Sequence, residues 1–289
     1  VPTLHRVFSD AFQNSLGQEE EEPEKEESEE DNESEAAEEK VVRAGARLED
    51  DDGVVFLNDL SLVVRRGEIL GIAGVDGNGQ RELAEVIFGL GTPRSGTVRV
   101  KGEDIRGWSP RDLTARSVGR IPQDRHGMGL ILDLTVRENL LLERFHEQPF
   151  CRRGFLEGRV IEEQSRSLIR DHDIRPPSQT LSIAALSGGN QQKVIFARVM
   201  LKPPDLLIAM NPTRGLDVGA TEFVYKKILE QREKGSAILF ISSELSEIMS
   251  LSDRIAVLYE GRIQGEVAGP EADELTLGLW MAGALAEAS

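Results

Sequence analysis

Four short, unbroken apolar runs set the fold: residues 68–74 (EILGIAG), 205–210 (DLLIAM), 236–241 (SAILFI) and 254–259 (RIAVLY). Runs without polar alternation suit strands covered on both faces, the environment of a parallel sheet. Between them lie helical patterns. Leu83, Val86, Ile87 and Leu90 recur at i, i+3, i+4 and i+7, and Ala220, Phe223, Val224 and Ile228 follow the same logic. Strand and helix alternate, which predicts an α/β core of mostly parallel sheet. Residues 41–66 read as an antiparallel hairpin beside it, with polar Glu49, Asp50, Asp51, Asp52 and Gly53 at the turn. Residues 124–183 break the alternation with mostly helical sequence and are expected to form a separate helical lobe.

Charge narrows the function classes. Of the formal −17, residues 19–39 contribute −13, from 14 Asp and Glu against Lys25 alone, so the rest of the chain carries only −4. A nucleic-acid binder gathers Lys and Arg on one face, and no such excess exists here, so no nucleic-acid partner is expected. The acidic run cannot bury apolar surface, and residues 1–40 read as a low-complexity, disordered linker or tail ahead of a folded domain at 41–289. Cys151 is the single cysteine, which excludes an internal disulfide and Cys-rich zinc sites. His5, His126, His146 and His172 lack the spacing of a metal site and read as surface or satisfied residues. No run approaches a membrane span, and the start lacks a signal peptide, so a soluble chain or one held at a membrane by a partner is expected. Its first residue, Val1 rather than Met, fits a piece of a longer chain.

After the first apolar run come Gly74, Val75, Asp76, Gly77, Asn78, Gly79, Gln80, Arg81 and Glu82, leading into a helical pattern. Strand, Gly-rich turn and helix surround phosphates with backbone N–H groups and a helix N-terminus. The glycines keep the phosphate-loop spacing G-x-x-x-x-G, yet its Lys and Ser/Thr are replaced by Gln80 and Arg81. On spacing alone, a structural turn and a nucleotide site fit equally well. Further on, residues 186–193 read LSGGNQQK, in which Ser and two Gly at a helix start offer a hydroxyl, N–H groups and a positive dipole end to an anion. The strand LLIAM follows, then residues 211–217 (NPTRGLD).

At these residues the chain resembles the nucleotide-binding domains of ABC transporters, over roughly residues 41–283. LSGGNQQK resembles that family's signature sequence. GIAGVDGNGQREL, NPTRGLDVGAT and ISSELSEI, with DRHGMGLILDLTVRENL at 124–140, resemble the second ATP-binding half of tandem importers for sugars and nucleosides, most of all the nucleoside-uptake branch. The resemblance implies a P-loop NTPase fold of ABC type with an antiparallel β subdomain and a helical lobe. Its cofactors would be ATP and Mg2+, the latter mainly at the partner half's site. Implied partners are another nucleotide-binding half, transmembrane permease subunits and, indirectly, an extracytoplasmic solute-binding protein, and the implied location is the cytoplasmic face of the cell membrane.

Carried over position by position, the resemblance places Gln80 where the phosphate-binding Lys belongs and Arg81 where the magnesium-binding Ser or Thr belongs. Met210 stands for the Walker B Asp, Asn211 for the Glu that polarises water and Ser243 for the switch His. Glu49 to Asp52 occupy the place of the adenine-stacking aromatic. No catalytic residue is therefore expected in the chain's own site, since phosphoryl transfer depends on positioning and charge neutralisation. Gly74 to Glu82 and Gln123 remain as nucleotide-binding candidates, with Gln123, at the Q-loop position, the one candidate metal ligand. Ser187, Gly188, Gly189, Asn190 and Gln191 match the signature that contacts nucleotide held by the opposite half, and Asp217 matches the D-loop Asp at the dimer interface. Arg125 and His126 follow Gln123 and read as contacts to permease helices or as solvated residues; Trp108 and Trp280 read as packing on the core. Two other classes compete: a noncatalytic dimerisation and coupling module, and an ABC ATPase with no role in transport.

Overall fold

The computed structural model of the protein describes residues 40–49 and 55–284. The expectations for the acidic run and for Asp50 to Asp52 lie outside the described residues. In chain order the elements are β1 (Lys40–Glu49), β2 (Val55–Arg65), β3 (Ile69–Ala73), α1 (Gln80–Ile87), β4 (Ser95–Val100), β5 (Glu103–Asp104), α2 (Pro110–Ala115) and β6 (Val118–Ile121). A five-residue π turn (Arg125–Gly129) precedes α3 (Val136–Leu141), β7 (Cys151–Arg152), β8 (Phe155–Leu156), α4 (Gly158–Asp171) and α5 (Gly188–Val199). The chain continues through β9 (Leu206–Met210), α6 (Val218–Glu233), β10 (Ala237–Ile241), α7 (Leu245–Leu251), β11 (Arg254–Tyr259), β12 (Arg262–Ala268) and α8 (Glu274–Met281).

All four apolar runs become neighbouring strands of one six-stranded sheet, ordered β12-β11-β3-β10-β9-β6. Every pair from β11 to β6 is parallel, and only β12 returns antiparallel. Both faces are buried, which explains the absence of alternation in the sequence. Along β9, Leu206, Ile208 and Met210 join one core cluster while Leu207 and Ala209 join another. In β10, Ala237, Leu239 and Ile241 divide from Ile238 and Phe240 in the same way.

The first core lies between the parallel sheet, α1 and a four-stranded antiparallel sheet ordered β2-β1-β4-β5. The expected hairpin is thus half of a larger sheet. On β2 the buried positions step from Leu57 to Leu60 across Asp59, whose φ is 54°; this bulge resets the pleat so that Leu60, Leu62 and Val64 face the core again. Arg254 joins the two sheets. Its Nε donates to Glu68 Oε1 at 2.7 Å and its Nη2 to the Val63 carbonyl at 2.6 Å, while Nη1 pairs with Glu266.

The second core lies under α5, α6, α7 and α8. Gly71 lets α7 approach β3: a Cβ there would stand 2.1 Å from Ser252 Oγ, closer than atoms can come. Leu140, Leu168, Ile169 and Ile183, from residues 124–183, contribute to this same cluster, and a small cluster of Leu141, Phe150 and Ile161 lies beyond it. Helix α1 ends sooner than its periodicity suggests, at Ile87, and Leu90 is exposed. Trp280 packs against the second core and Trp108 against the first, with the Arg116 guanidinium 3.9 Å over the Trp108 ring. No described helix is long and apolar enough to cross a membrane.

Candidate functional site

Because β3, β10, β9 and β6 are adjacent and parallel, the segments after them meet along one edge of the sheet. In α/β sheets that carboxyl edge is where ligands bind. It brings together the Gly74–Gln80 loop after β3, Ser242–Ser243 after β10, Asn211–Asp217 after β9 and Gln123 after β6.

The Gly-rich loop is closed by its own side chains. Gly79, with φ 106°, caps α1 where a Cβ would fall 2.5 Å from the Phe56 carbonyl, so only glycine fits. Gln80 is buried, and its amide folds back: Oε1 accepts from Asn78 N–H at 3.1 Å while Nε2 donates to the Val75 carbonyl at 2.9 Å. Asn78 Nδ2 donates to the same carbonyl at 2.9 Å, and Asn78 Oδ1 accepts from Glu260 N–H at 2.9 Å, which ties the loop to the β11–β12 turn. Val75, Asp76 and Gly77 are exposed. Arg81 turns along the helix surface to Glu82, at 3.2 Å, and Glu85, at 3.8 Å. Its charge is met by two carboxylates of its own helix.

Asn211 and Ser243 meet each other. Asn211 Oδ1 accepts from Ser243 N–H at 2.8 Å and from Ser243 Oγ at 3.3 Å, and Asn211 N–H donates to the Ile241 carbonyl at 2.7 Å. Met210, just before, is buried in the first core.

Sequence reasoning missed the group behind this edge. Glu247, on α7, is 9% exposed and accepts from Thr213 Oγ1 at 2.6 Å, Ser242 Oγ at 2.7 Å and Tyr225 Oη at 2.8 Å. One carboxylate thereby fastens the segment after β9, the segment after β10 and helix α6. Burial, with the Glu247 charge beside it, pushes the Tyr225 phenol well above its usual range, so it remains a donor. A Glu amid the apolar residues of α7 was the available signal.

A second surface forms where the N-termini of α5 and α6 abut. Ser187 caps α5, its Oγ accepting from Asn190 N–H at 3.4 Å and also from Asn190 Nδ2 at 2.9 Å, and Asp217 caps α6, accepting from Ala220 N–H at 2.9 Å. A Cβ on Gly189 would lie 2.9 Å from Ala220 Cβ and 3.9 Å from Asp217 Oδ2, so the expected signature turn and Asp217 are neighbours. Ser187 is exposed, and Gly188, Gly189 and Asn190 are half-buried. Gln191 differs from expectation. It is buried, with Oε1 2.9 Å from His126 Nε2 and Nε2 donating to the Ile183 carbonyl at 3.2 Å; its amide is engaged within the chain and not presented to a partner. Arg125 and His126 also turn inward onto α5, Arg125 Nη1 donating to the Gly188 carbonyl at 3.1 Å.

Among the described residues no group of His, Cys, Asp or Glu is placed to hold a metal ion. His172 is buried, its Nδ1 donating to the Leu168 carbonyl at 3.1 Å, and His146 stacks edge-on against Phe145.

Residues 57–214 match the family model described as ABC transporter. The guanosine import ATP-binding protein NupO of Bacillus subtilis (strain 168) is 51% identical over 239 residues, covering 83% of this chain and 47% of that protein. The nucleoside import ATP-binding protein NupA of Lactococcus lactis subsp. cremoris (strain MG1363) is 45% identical, covering 82% and 47%. The glucose import ATP-binding protein TsgD13 of Haloferax volcanii is 42% identical, covering 85% and 45%. The chain spans about half the length of the curated relatives it matches. In fold it is similar to the dimeric ATP-binding cassette MJ0796 in a post-hydrolysis state with ADP and Pi, at a TM-score of 0.67 and 22% identity over 78% of this chain and 98% of that one.

Proposed function

The chain belongs to the ABC transporter family, and from that premise we propose that it is the second ATP-binding half of an importer for nucleosides or simple sugars. Its own nucleotide site is degenerate, and its signature turn completes the hydrolytic site of the other half. The observation that carries this reading is the contrast between the two surfaces. The Gly-rich loop is occupied by the Gln80 amide, whereas Ser187, Gly188 and Gly189 sit at the open N-terminus of α5 beside Asp217. A helix N-terminus with a serine cap offers N–H groups and a positive dipole end to a phosphate.

The backbone of the loop fits a phosphate cradle, but the side chains do not fit the phosphate–magnesium pair. Magnesium takes oxygen ligands in octahedral array. At the motif positions stand the Arg81 guanidinium, the Met210 thioether and Asn211, whose Oδ1 already accepts twice from Ser243. Gln123 supplies the remaining amide oxygen, too little to hold the ion. No step is assigned to this half's own site, and the loop takes nucleotide weakly.

The implied partners follow from the reading: an ATP-binding half with a complete loop, permease subunits in the membrane and a solute-binding protein acting through the permease, with this chain on the cytoplasmic face. A noncatalytic coupling role gains from one observation, the Gln80 closure, which leaves the loop little use for nucleotide. Ser187→Arg in the two-half protein separates the two. Loss of ATPase activity, with folding intact, is the expected outcome; unchanged activity would transfer the case to the coupling module.

A further inference from the structure

Gln123 is followed by a π turn rather than an α-helical one; Asp124, His126, Gly127 and Met128 are exposed, Arg125 is half-buried and Gly129 is buried. Asp124 opens it, its Oδ1 accepting from His126 N–H at 3.1 Å and Gly127 N–H at 2.9 Å; these amide bonds lower the carboxyl pKa and keep it ionised. So fixed, the next residues reach across 63 to 65 positions of sequence to the first turn of α5, Arg125 Nη1 to the Gly188 carbonyl and His126 Nε2 to Gln191 Oε1. At the far end of the turn, Gly129 lies so close to α5 that a Cβ would stand 2.8 Å from Ile195 Cδ1. Three successive contacts therefore run down one side of α5 from Gly188 to Ile195.

Arg125 is the informative member. Its guanidinium packs against both glycine segments of the partner-facing surface: a Cβ on Gly188 would lie 3.7 Å from its Cζ, and one on Gly215 3.9 Å from its Nη2. Its Nε is buried without a hydrogen-bond partner, and burial lowers the pKa of the group. Solvation would satisfy an arginine better, so a half-desolvated one with an open donor needs a reason. The segment that links β6 to the signature turn supplies it.

We propose that the Arg125–Gly129 turn is a strap that holds the signature turn, with Arg125 and His126 as positioning residues for Ser187, Gly188 and Gly189. The inference rests on the reading that this signature serves the other half's site. It adds the residues that set the orientation.

Two measurements test it. In this chain alone, hydrogen exchange at the Asn190 and Gln191 amides is read for Arg125→Gln and His126→Ala. Exchange is expected to rise at least tenfold in each, with the thermal midpoint little changed; exchange equal to the parent overturns the strap. In the two-half protein, Arg125→Gln is expected to lower kcat at least tenfold with the KM for ATP within twofold, because the other half's loop holds the nucleotide while this turn only closes on it. Arg125→Lys, which keeps one donor for the Gly188 carbonyl, should recover part of the loss. If Ser187→Arg abolishes turnover while Arg125→Gln leaves it intact, the strap is refuted and the signature reading stands. If Ser187→Arg is itself without effect, the signature reading fails, and the exchange result alone decides whether the strap holds the turn.

Discussion

Opening the Gly-rich loop should tighten its grip on nucleotide. For a phosphate oxygen to take the Asn78 N–H, it must displace Gln80 Oε1, 3.1 Å away, and the Gln80 Nε2 bond to the Val75 carbonyl at 2.9 Å goes with it. At about 0.5–1.5 kcal/mol for each intramolecular bond, the closure opposes binding by about 1–3 kcal/mol, a factor of roughly 5–150 in Kd. Gln80→Ala removes that opposition and leaves the Asn78 N–H with only its long bond to the Val75 carbonyl, at 3.3 Å. Gln80→Lys also places a cation where the β- and γ-phosphates would lie, so it should bind more tightly than the alanine variant. Calorimetric titration of ATP into the three proteins measures the effect, and urea unfolding of each checks that the loss of a buried side chain has not disturbed the fold. An alanine variant that binds no better than the parent refutes the argument, because the amide would then not be what limits the loop.

Two further expectations concern the supports of the site. Glu247→Ala deprives three hydroxyl donors of a buried acceptor; at about 1 kcal/mol or more each, it should cost about 3–5 kcal/mol in urea unfolding, with Glu247→Gln costing less, and a loss under about 1 kcal/mol would show the network to be incidental. Desolvation holds the His172 pKa below its ordinary value, so the unfolded chain binds this proton more readily than the native one. Stability from this group is present above about pH 6.5 and lost as the pH falls below it, by at most about 1.4 kcal/mol per pH unit, and His172→Gln should remove that slope from the difference in unfolding free energy.

Much of the fold was legible because burial on both faces writes itself as unbroken apolar runs. β11 begins and ends where the run 254–259 does, β9 and β10 each lose the residue at which the chain enters the sheet, and β3 loses one at either end, Glu68 and Gly74. Harder to read were features fixed by tertiary approach. Helix α1 stops at Ile87 because Gly89 crosses the Trp108 carbonyl, where a Cβ would fall 2.7 Å away, although periodicity carries on to Leu90. The β7–β8 hairpin is two residues a side, below the length at which alternation registers. At the site, the sequence identifies Gln80, Asn211 and Ser243 as departures from a motif, but not that the Asn211 and Ser243 substitutions bond to each other. Nor does periodicity reveal which way Arg125 and His126 turn, since their partners lie on α5.

The departures from the motif are mutually consistent in a way that isolated decay would not produce. Asn211 accepts both the Ser243 N–H and the Ser243 hydroxyl on Oδ1, and as a neutral amide it leaves no buried charge that a ligand would have to balance. A Lys at position 80 would need an anion to face it, whereas Gln80 supplies one donor and one acceptor to a loop that offers one carbonyl and one N–H. At each place a group that requires a ligand has given way to one satisfied by its neighbours. Meanwhile Ser187 stays exposed at its helix cap, and the buried Glu247 still anchors Thr213, four residues before Asp217. On the proposed reading the two surfaces belong together: a loop whose polar groups are met from within needs no ligand to complete it, while the serine cap of α5 stays available to a phosphate held by a partner.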